Sequence, residues 1–155
     1  MDAKVLRVDP FHPQIGRVVP FVIQRIIDYS RHASPEMGDV TTAADVLTSL
    51  AVGDPSTLLL AFLDDKANVV GHLLAKVAQD SAKRWVTIVQ YRADQNVGEA
   101  GKEAVAQVEQ WAQQIGALHV VFIATGNQGD RWKERGFKPV RTVLLKEVPP
   151  VVPAA

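Results

Sequence analysis

The chain has no cysteine. Disulfides, thiolate metal sites and a cysteine nucleophile are therefore excluded. Dense basic runs are missing as well: 17 Lys and Arg are balanced by 17 Asp and Glu, and the isoelectric point lies near 6.9. Proteins that grip nucleic acid neutralise phosphates with a basic face, so no nucleic-acid partner is expected. No uninterrupted apolar stretch reaches the roughly 18 residues needed to cross a bilayer, and no membrane association is expected. Met1-Asp2-Ala3-Lys4-Val5 lacks a basic segment followed by an apolar core. The expectation is no signal peptide and a cytoplasmic setting. Gly-x-Ser-x-Gly, Walker and His-Glu-x-x-His sequences are missing too. His12, His32 and His119 are scattered without the spacing of metal ligands.

What the chain does have is material for a core. It has 155 residues, 47% of them hydrophobic, which suits one globular domain of common size. The reading places that domain at residues 1–148. Pro149 to Ala155 forms a Pro-Val-Ala tail with no core of its own.

The periodicity changes along the chain. Lys4 to Val8 alternates like a strand. Ile15, Val18, Val19, Val22, Ile23, Ile26 and Ile27 fall at helical spacing, with Pro20 placed in the first turn of the main helix or at a kink. Thr42-Ala43-Ala44-Asp45 reads as a capping box before a second helix, which ends at Gly53-Asp54-Pro55. Three strand candidates follow at Ser56–Asp64, Val69–Val77 and Arg84–Tyr91, joined by turns into an antiparallel meander. Ala104, Val105, Val108, Trp111, Ala112 and Ile115 then form the stripe of an amphipathic helix that stops at Gly116. His119–Ala124 is a short apolar run, expected as a strand buried on both faces. A right-handed crossover makes it parallel to the strand at 84–91. A short helix at Gln128–Arg135 closed by Gly136, and a last strand at Lys138–Val148, complete the pattern.

This order of elements resembles the GCN5-related N-acetyltransferase (GNAT) fold over residues 3 to 148. Gln95-Asn96-Val97-Gly98-Glu99-Ala100 looks like the family's acyl-CoA loop, Gln/Arg-x-x-Gly-x-Gly/Ala, and lies between the third meander strand and the long helix. Gly136-Phe137 is similar to the pair that ends the family's last helix. The resemblance implies an α/β GNAT-like (acyl-CoA N-acyltransferase) fold, with a mixed six- to seven-stranded sheet and about four helices. It implies acetyl-CoA as acyl donor and a small-molecule or protein amine as acceptor. Gln95, Asn96, Val97, Gly98, Glu99 and Ala100 would bind the pyrophosphate. Gln90 and the neighbouring main chain would line a pantetheine gap that opens between Gln90 and Phe122.

The chain also departs from the family pattern. The family's tyrosine acid, five residues before the Gly-Phe phenylalanine, falls on Trp132. An indole N–H is no acid of useful pKa, and packing the helix onto the sheet is its alternative role. The strand before the loop ends Gln90-Tyr91-Arg92 in place of an apolar-x-Pro pattern, and the family's Asn falls at Thr125, with Asn127 nearby. The catalytic candidates are Tyr91 and Asp94, beside a more remote Asp130 and a strand histidine, His72. Two readings stay open: an N-acyltransferase, and a non-catalytic GNAT-fold structural component. Trp111-Ala112, Gly116-Ala117, Trp132 and Gly136-Phe137 are similar to small GNAT-like proteins encoded by bacteriophages. Under that second reading the chain sits in a virion, and its C-terminal tail mediates homo-oligomeric or assembly contacts.

Overall fold

The computed structural model describes residues 2–9, 11–33, 43–94, 97–122, 129–140 and 146–151. It divides into two compact units, Met1–Ile123 and Ala124–Ala155.

The first unit is a five-stranded sheet in the order β1-β2-β3-β4-β5. The strands are β1 (Lys4–Arg7), β2 (Thr57–Leu63), β3 (Val69–Asp80), β4 (Lys83–Ala93) and β5 (Val120–Phe122). The first four are antiparallel neighbours, and β5 runs parallel to β4. Three α-helices accompany them: α1 (Val19–Ala33), α2 (Ala43–Ala51) and α3 (Ala100–Gln114). Among the described residues the sheet has five strands, fewer than the six to seven expected. Residues 138–140 and 146–148 are not strand, and 141–145 lie outside the described residues. Thr42, the expected cap of α2, also lies outside them.

Alternation of side chains divides the sheet between two helical layers. Leu59, Ala61, Leu63 and Leu74 join Val18, Val22, Ile26 and Val46 in one core on the α1 and α2 side. The alternate residues Leu58, Leu60, Phe62, Leu73, Ala75, Val86 and Ile88, all buried, supply the opposite face. There α3 presents Ala104, Val105, Val108, Trp111 and Ala112. With both faces covered, all seven residues of β2 are buried, which accounts for its unbroken apolar run. Pro20 sits in the first turn of α1, where a missing N–H costs no helical hydrogen bond.

The crossover from β4 to β5 is closed at both ends of α3. Gly116, at φ +74, lets the Gly116 amide reach Gln113 O (3.2 Å) and the Ala117 amide reach Ala112 O (2.8 Å), a Schellman ending. The Arg84 guanidinium donates to Ile115 O at 2.7 Å, tying the negative end of the helix to the start of β4. β5 is half-buried along its three residues, where burial on both faces was expected. As the last strand described, it is covered less completely than β2.

The second unit holds α4 (Gly129–Glu134). Its end repeats the Schellman pattern: Gly136 N–H to Lys133 O (3.0 Å) and Phe137 N–H to Trp132 O (3.1 Å), with Gly136 at φ +93. The apolar contact that accompanies this motif is Phe137 edge-on to Trp132, centroids 5.1 Å apart. Arg135 lies over the same indole at 5.0 Å. The Gly-Phe pair and Trp132 thus act together as a helix stop.

Candidate cofactor site between strand four and helix three

Among the described residues, β4 pairs with β5 over three positions. These are Val86–Val120, Thr87–Val121 and Ile88–Phe122, while β4 continues to Ala93. Residues 123–128, which follow β5 in the chain, lie outside the described residues. A bulge follows Ile88 in β4. Leu74 pairs with Gln90 but Ala75 pairs with Ile88, so Val89 is an extra residue in β4. Bulges bend a strand and re-aim its side chains.

After β4 the chain turns toward α3. Asp94 N–H donates to Val70 O at 2.8 Å, and the Asp94 carboxylate meets Arg25 Nη2 of α1, also at 2.8 Å. Val97 is buried, and its carbonyl accepts the Ala3 amide at 3.3 Å. The loop is therefore anchored on both sides. Gly98 follows at φ +67, a conformation that strains residues with a side chain. Glu99 occupies the N-cap position, and α3 has no side-chain cap. The first amides of a helix have no intrahelical partner and carry partial positive charge, so the start of α3 is an available anion cradle. The Glu99 carboxylate is exposed and pairs with Lys102 at 3.3 Å, which offsets its charge.

On the α1 side of the bulge lies a buried polar cluster. His72 is fully buried in β3. Its Nε2 meets Gln90 Oε1 at 2.9 Å, and Gln90 Nε2 donates to Ser30 Oγ at 3.1 Å. With the Gln90 amide assigned this way, His72 carries its proton on Nε2. Its Nδ1 has no hydrogen-bond partner among the described residues. Burial, assisted by Arg25 and Arg92 and opposed by the Gln90 hydrogen bond, lowers the His72 pKa to about 4, so the ring is neutral at neutral pH. Tyr29 stands edge-on to His72, centroids 6.0 Å apart. Burial raises the Tyr29 pKa, while a hydrogen bond from the Tyr91 main-chain amide opposes the rise.

No protein-family model matches the sequence, and no curated protein does. Solved structures do match over almost the whole chain. A glucosamine-6-phosphate N-acetyltransferase from Arabidopsis thaliana superposes with a TM-score of 0.64 at 9% identity, covering 95% of this chain and 99% of its own. An acetyltransferase from Trypanosoma brucei gives 0.66 at 8% identity, covering 95% and 100%. An aminoglycoside acetyltransferase from an uncultured soil metagenomic sample gives 0.61 at 16% identity, covering 97% and 96%. The fold is that of the GNAT acetyltransferases.

Within this GNAT fold the residues singled out from the sequence have different fates. Val97, Gly98, Glu99 and Ala100 lead directly into α3, and Ala100 is buried at its first position. Gln95 and Asn96 lie outside the described residues, as do Thr125, Asn127 and the side chain of Asp130. Gln90 lies two residues beyond Ile88, which pairs with Phe122. Its side chain, however, is turned to α1 and held by His72 and Ser30. Tyr91 is buried on the α3 face against Phe62, centroids 5.9 Å apart. Asp94 is half-exposed and engaged by Arg25. Among the described residues no group of three or more His, Cys, Asp or Glu is placed to hold a metal.

The sequence reading overlooked Tyr29 and Ser30 as site residues. A signal was present. The stripe Val22–Ile26 continues by three and four residues onto Tyr29 and Ser30, so the buried face of α1 turns polar in its last turns. A helix that does so needs polar partners on the sheet beneath.

Proposed function

We propose that the chain is an acyl-CoA-dependent N-acyltransferase that moves an acetyl group from acetyl-CoA to an amine. One observation carries the reading: α3 starts without a side-chain cap, behind Gly98 at φ +67 and after the strand that pairs in parallel with β5. The amides of Ala100, Gly101 and Lys102, approached over Gly98, would hold the pyrophosphate. The gap beside Val89 to Ala93 would hold pantetheine. The acceptor would enter from the α1 and α2 side, where Tyr29 and the Arg25–Asp94 pair stand. One similar structure is a glucosamine-6-phosphate N-acetyltransferase and another an aminoglycoside acetyltransferase, which supports an amine acceptor here. Holding amine and thioester together supplies a large share of such a rate enhancement, so a dedicated base is not a requirement.

Acetyl-CoA at about 100 times its Kd should stabilise the protein by about 2.7 kcal/mol. That corresponds to a rise in melting temperature of roughly 5–10 °C for a domain of this size. Gly98→Glu should abolish the rise by placing a charged side chain in the cradle. No shift with millimolar acetyl-CoA would refute the assignment.

A second reading is a non-catalytic GNAT-fold component. It is favoured by Trp132, which closes α4 against Phe137 where the family resemblance implies a tyrosine acid. This reading expects a large assembly on sizing of the native protein, weakened by deletion of Pro149 to Ala155. A monomer unaffected by the deletion would count against it.

A further inference from the structure

The bulge in β4 puts two consecutive side chains on one face. Ile88 is opposite Ala75 and Gln90 is opposite Leu74, so Val89 and Gln90 share one partner. Leu74 and Val89 both belong to the core beneath α1, and Gln90 reaches Ser30 of α1 at 3.1 Å. A regular strand would send Val89 and Gln90 to opposite faces. From Gln90 onward the alternation resumes. Asp94, four residues on, returns to α1 and meets Arg25, while Tyr91 packs on Phe62 at the α3 face. Without the bulge, the pairing of Ala75 with Ile88 would run on one for one. Gln90 would then stand opposite Leu73, a buried residue of the α3 face, and Tyr91 opposite His72. The Gln90 amide would lie among apolar side chains with both its hydrogen bonds lost, and the Asp94 carboxylate would turn away from Arg25. In the observed register the amide is engaged at both ends, its oxygen by His72 Nε2 at 2.9 Å and its nitrogen by Ser30 Oγ. Gln90 is buried, so water is no substitute partner.

We propose that Gln90 is a positioning residue: held by His72 and Ser30, it selects the bulged register of β4 and thereby sets how the strand enters the loop before α3. A buried polar side chain that is satisfied in one register and stranded in the next can fix which of the two forms. Gln90 and Asp94 then tie the last residues of β4 to α1 at two points, Ser30 and Arg25. The chain runs from there through Val97 to Gly98, so a one-residue slip in β4 displaces the approach to the start of α3. The consequence for the donor cradle rests on the acyl-CoA reading above; the choice of register does not.

The test is NMR of the intact protein and of Gln90→Leu, read by contacts between backbone protons across β3 and β4. Wild type should show Leu73 against Tyr91 and Gly71 against Ala93. In Gln90→Leu these contacts should give way to His72 against Tyr91 and Gly71 against Arg92. The melting temperature of the variant should also rise much less with acetyl-CoA than that of wild type. Wild-type contacts alone in Gln90→Leu overturn the proposal, and so does a slipped register with a full response to acetyl-CoA. Val22→Ala, in the core beneath α1, leaves the Gln90 hydrogen bonds in place and should keep the wild-type contacts. A slip there would trace the register to general stability and overturn the role of Gln90. Should Gln90→Leu fail to fold, Ser30→Ala takes its place. The Asp94 amide, bonded to Val70 O in the observed register, should then exchange with deuterium about tenfold faster, while the Val86 amide is unchanged. Equal exchange at Asp94 overturns the proposal. A wild type that does not respond to acetyl-CoA removes the acyl-CoA reading, and the contacts in Gln90→Leu still decide whether Gln90 selects the register.

Discussion

The two faces of the sheet in the first unit are built on different principles. Toward α3 the sheet presents Leu58, Leu60, Phe62, Leu73, Ala75, Val86 and Ile88, and Tyr91 packs on Phe62. Toward α1 it begins as a similar apolar layer around Ile26 and Leu59. Near the end of β4 it becomes a network of His72, Gln90, Ser30 and Tyr29. An apolar layer is insensitive to pH and tolerates loss of shape poorly. A buried polar network is sensitive to protonation, and its members depend on one another. The polar end lies beside the Val89 bulge, so the face that carries the candidate chemistry is also the pH-sensitive one.

Four perturbations would break or sharpen this contrast. Phe62→Ala, at a fully buried position of the α3 face, should cost about 4 kcal/mol, read from urea unfolding at neutral pH and nearly constant between pH 5 and 8. The second is acidification. The folded His72 has its pKa depressed to about 4 from 6.5, so the unfolded state binds its proton first. Its contribution is complete above pH 6.5 and is lost as the pH falls toward 4, on the order of 3 kcal/mol. His72→Leu should flatten that window. Asp54 and Asp64, held below the usual carboxylate range by Ser56 and by Asn68 respectively, act only in a lower window, below about pH 4. A wild type whose stability is level between pH 6.5 and 4.5 would contradict the buried neutral imidazole.

Third, Gln90→Leu strands the His72 Nε2 proton and should cost about 2 kcal/mol. The double variant His72→Leu/Gln90→Leu should cost less than the sum of the two singles, and additive losses would show that the pair does not act as a unit. The smallest effect belongs to the Arg25–Asp94 ion pair, whose side chains are 20% and 53% exposed. Asp94→Asn should cost about 0.5 kcal/mol at low salt and little in 1 M salt. A larger, salt-independent loss would mean that Asp94 anchors the loop by more than charge.

Part of this architecture was legible before any coordinates. The stripe from Ala104 to Ala112 describes a helix face, and Gly116 and Gly136 mark helix ends at positive φ. Trp132, expected to pack its helix onto the sheet, is buried and edge-on to Phe137 within its own unit. The course of β4 was not legible. Counting by two from Ile88 places Gln90 on the α3 face, yet the bulge at Val89 carries it to the α1 face beside His72. It also carries Tyr91 to the opposite side. No local pattern announces a bulge at Val89. It depends on how β3 pairs with β4.

The sequence alone determined the alternation of helix and strand, the antiparallel meander and the crossover into β5, because periodicity and turn chemistry act over a few residues. It also placed Gly98 just before a long helix. Tertiary structure decided the bulge at Val89, which face Gln90 occupies, and that α1 supplies Ser30 and Tyr29 to the cluster around His72. Those outcomes join residues some sixty positions apart in the chain, as Ser30 and Gln90 are, and such contacts follow from packing helix onto sheet rather than from any local preference.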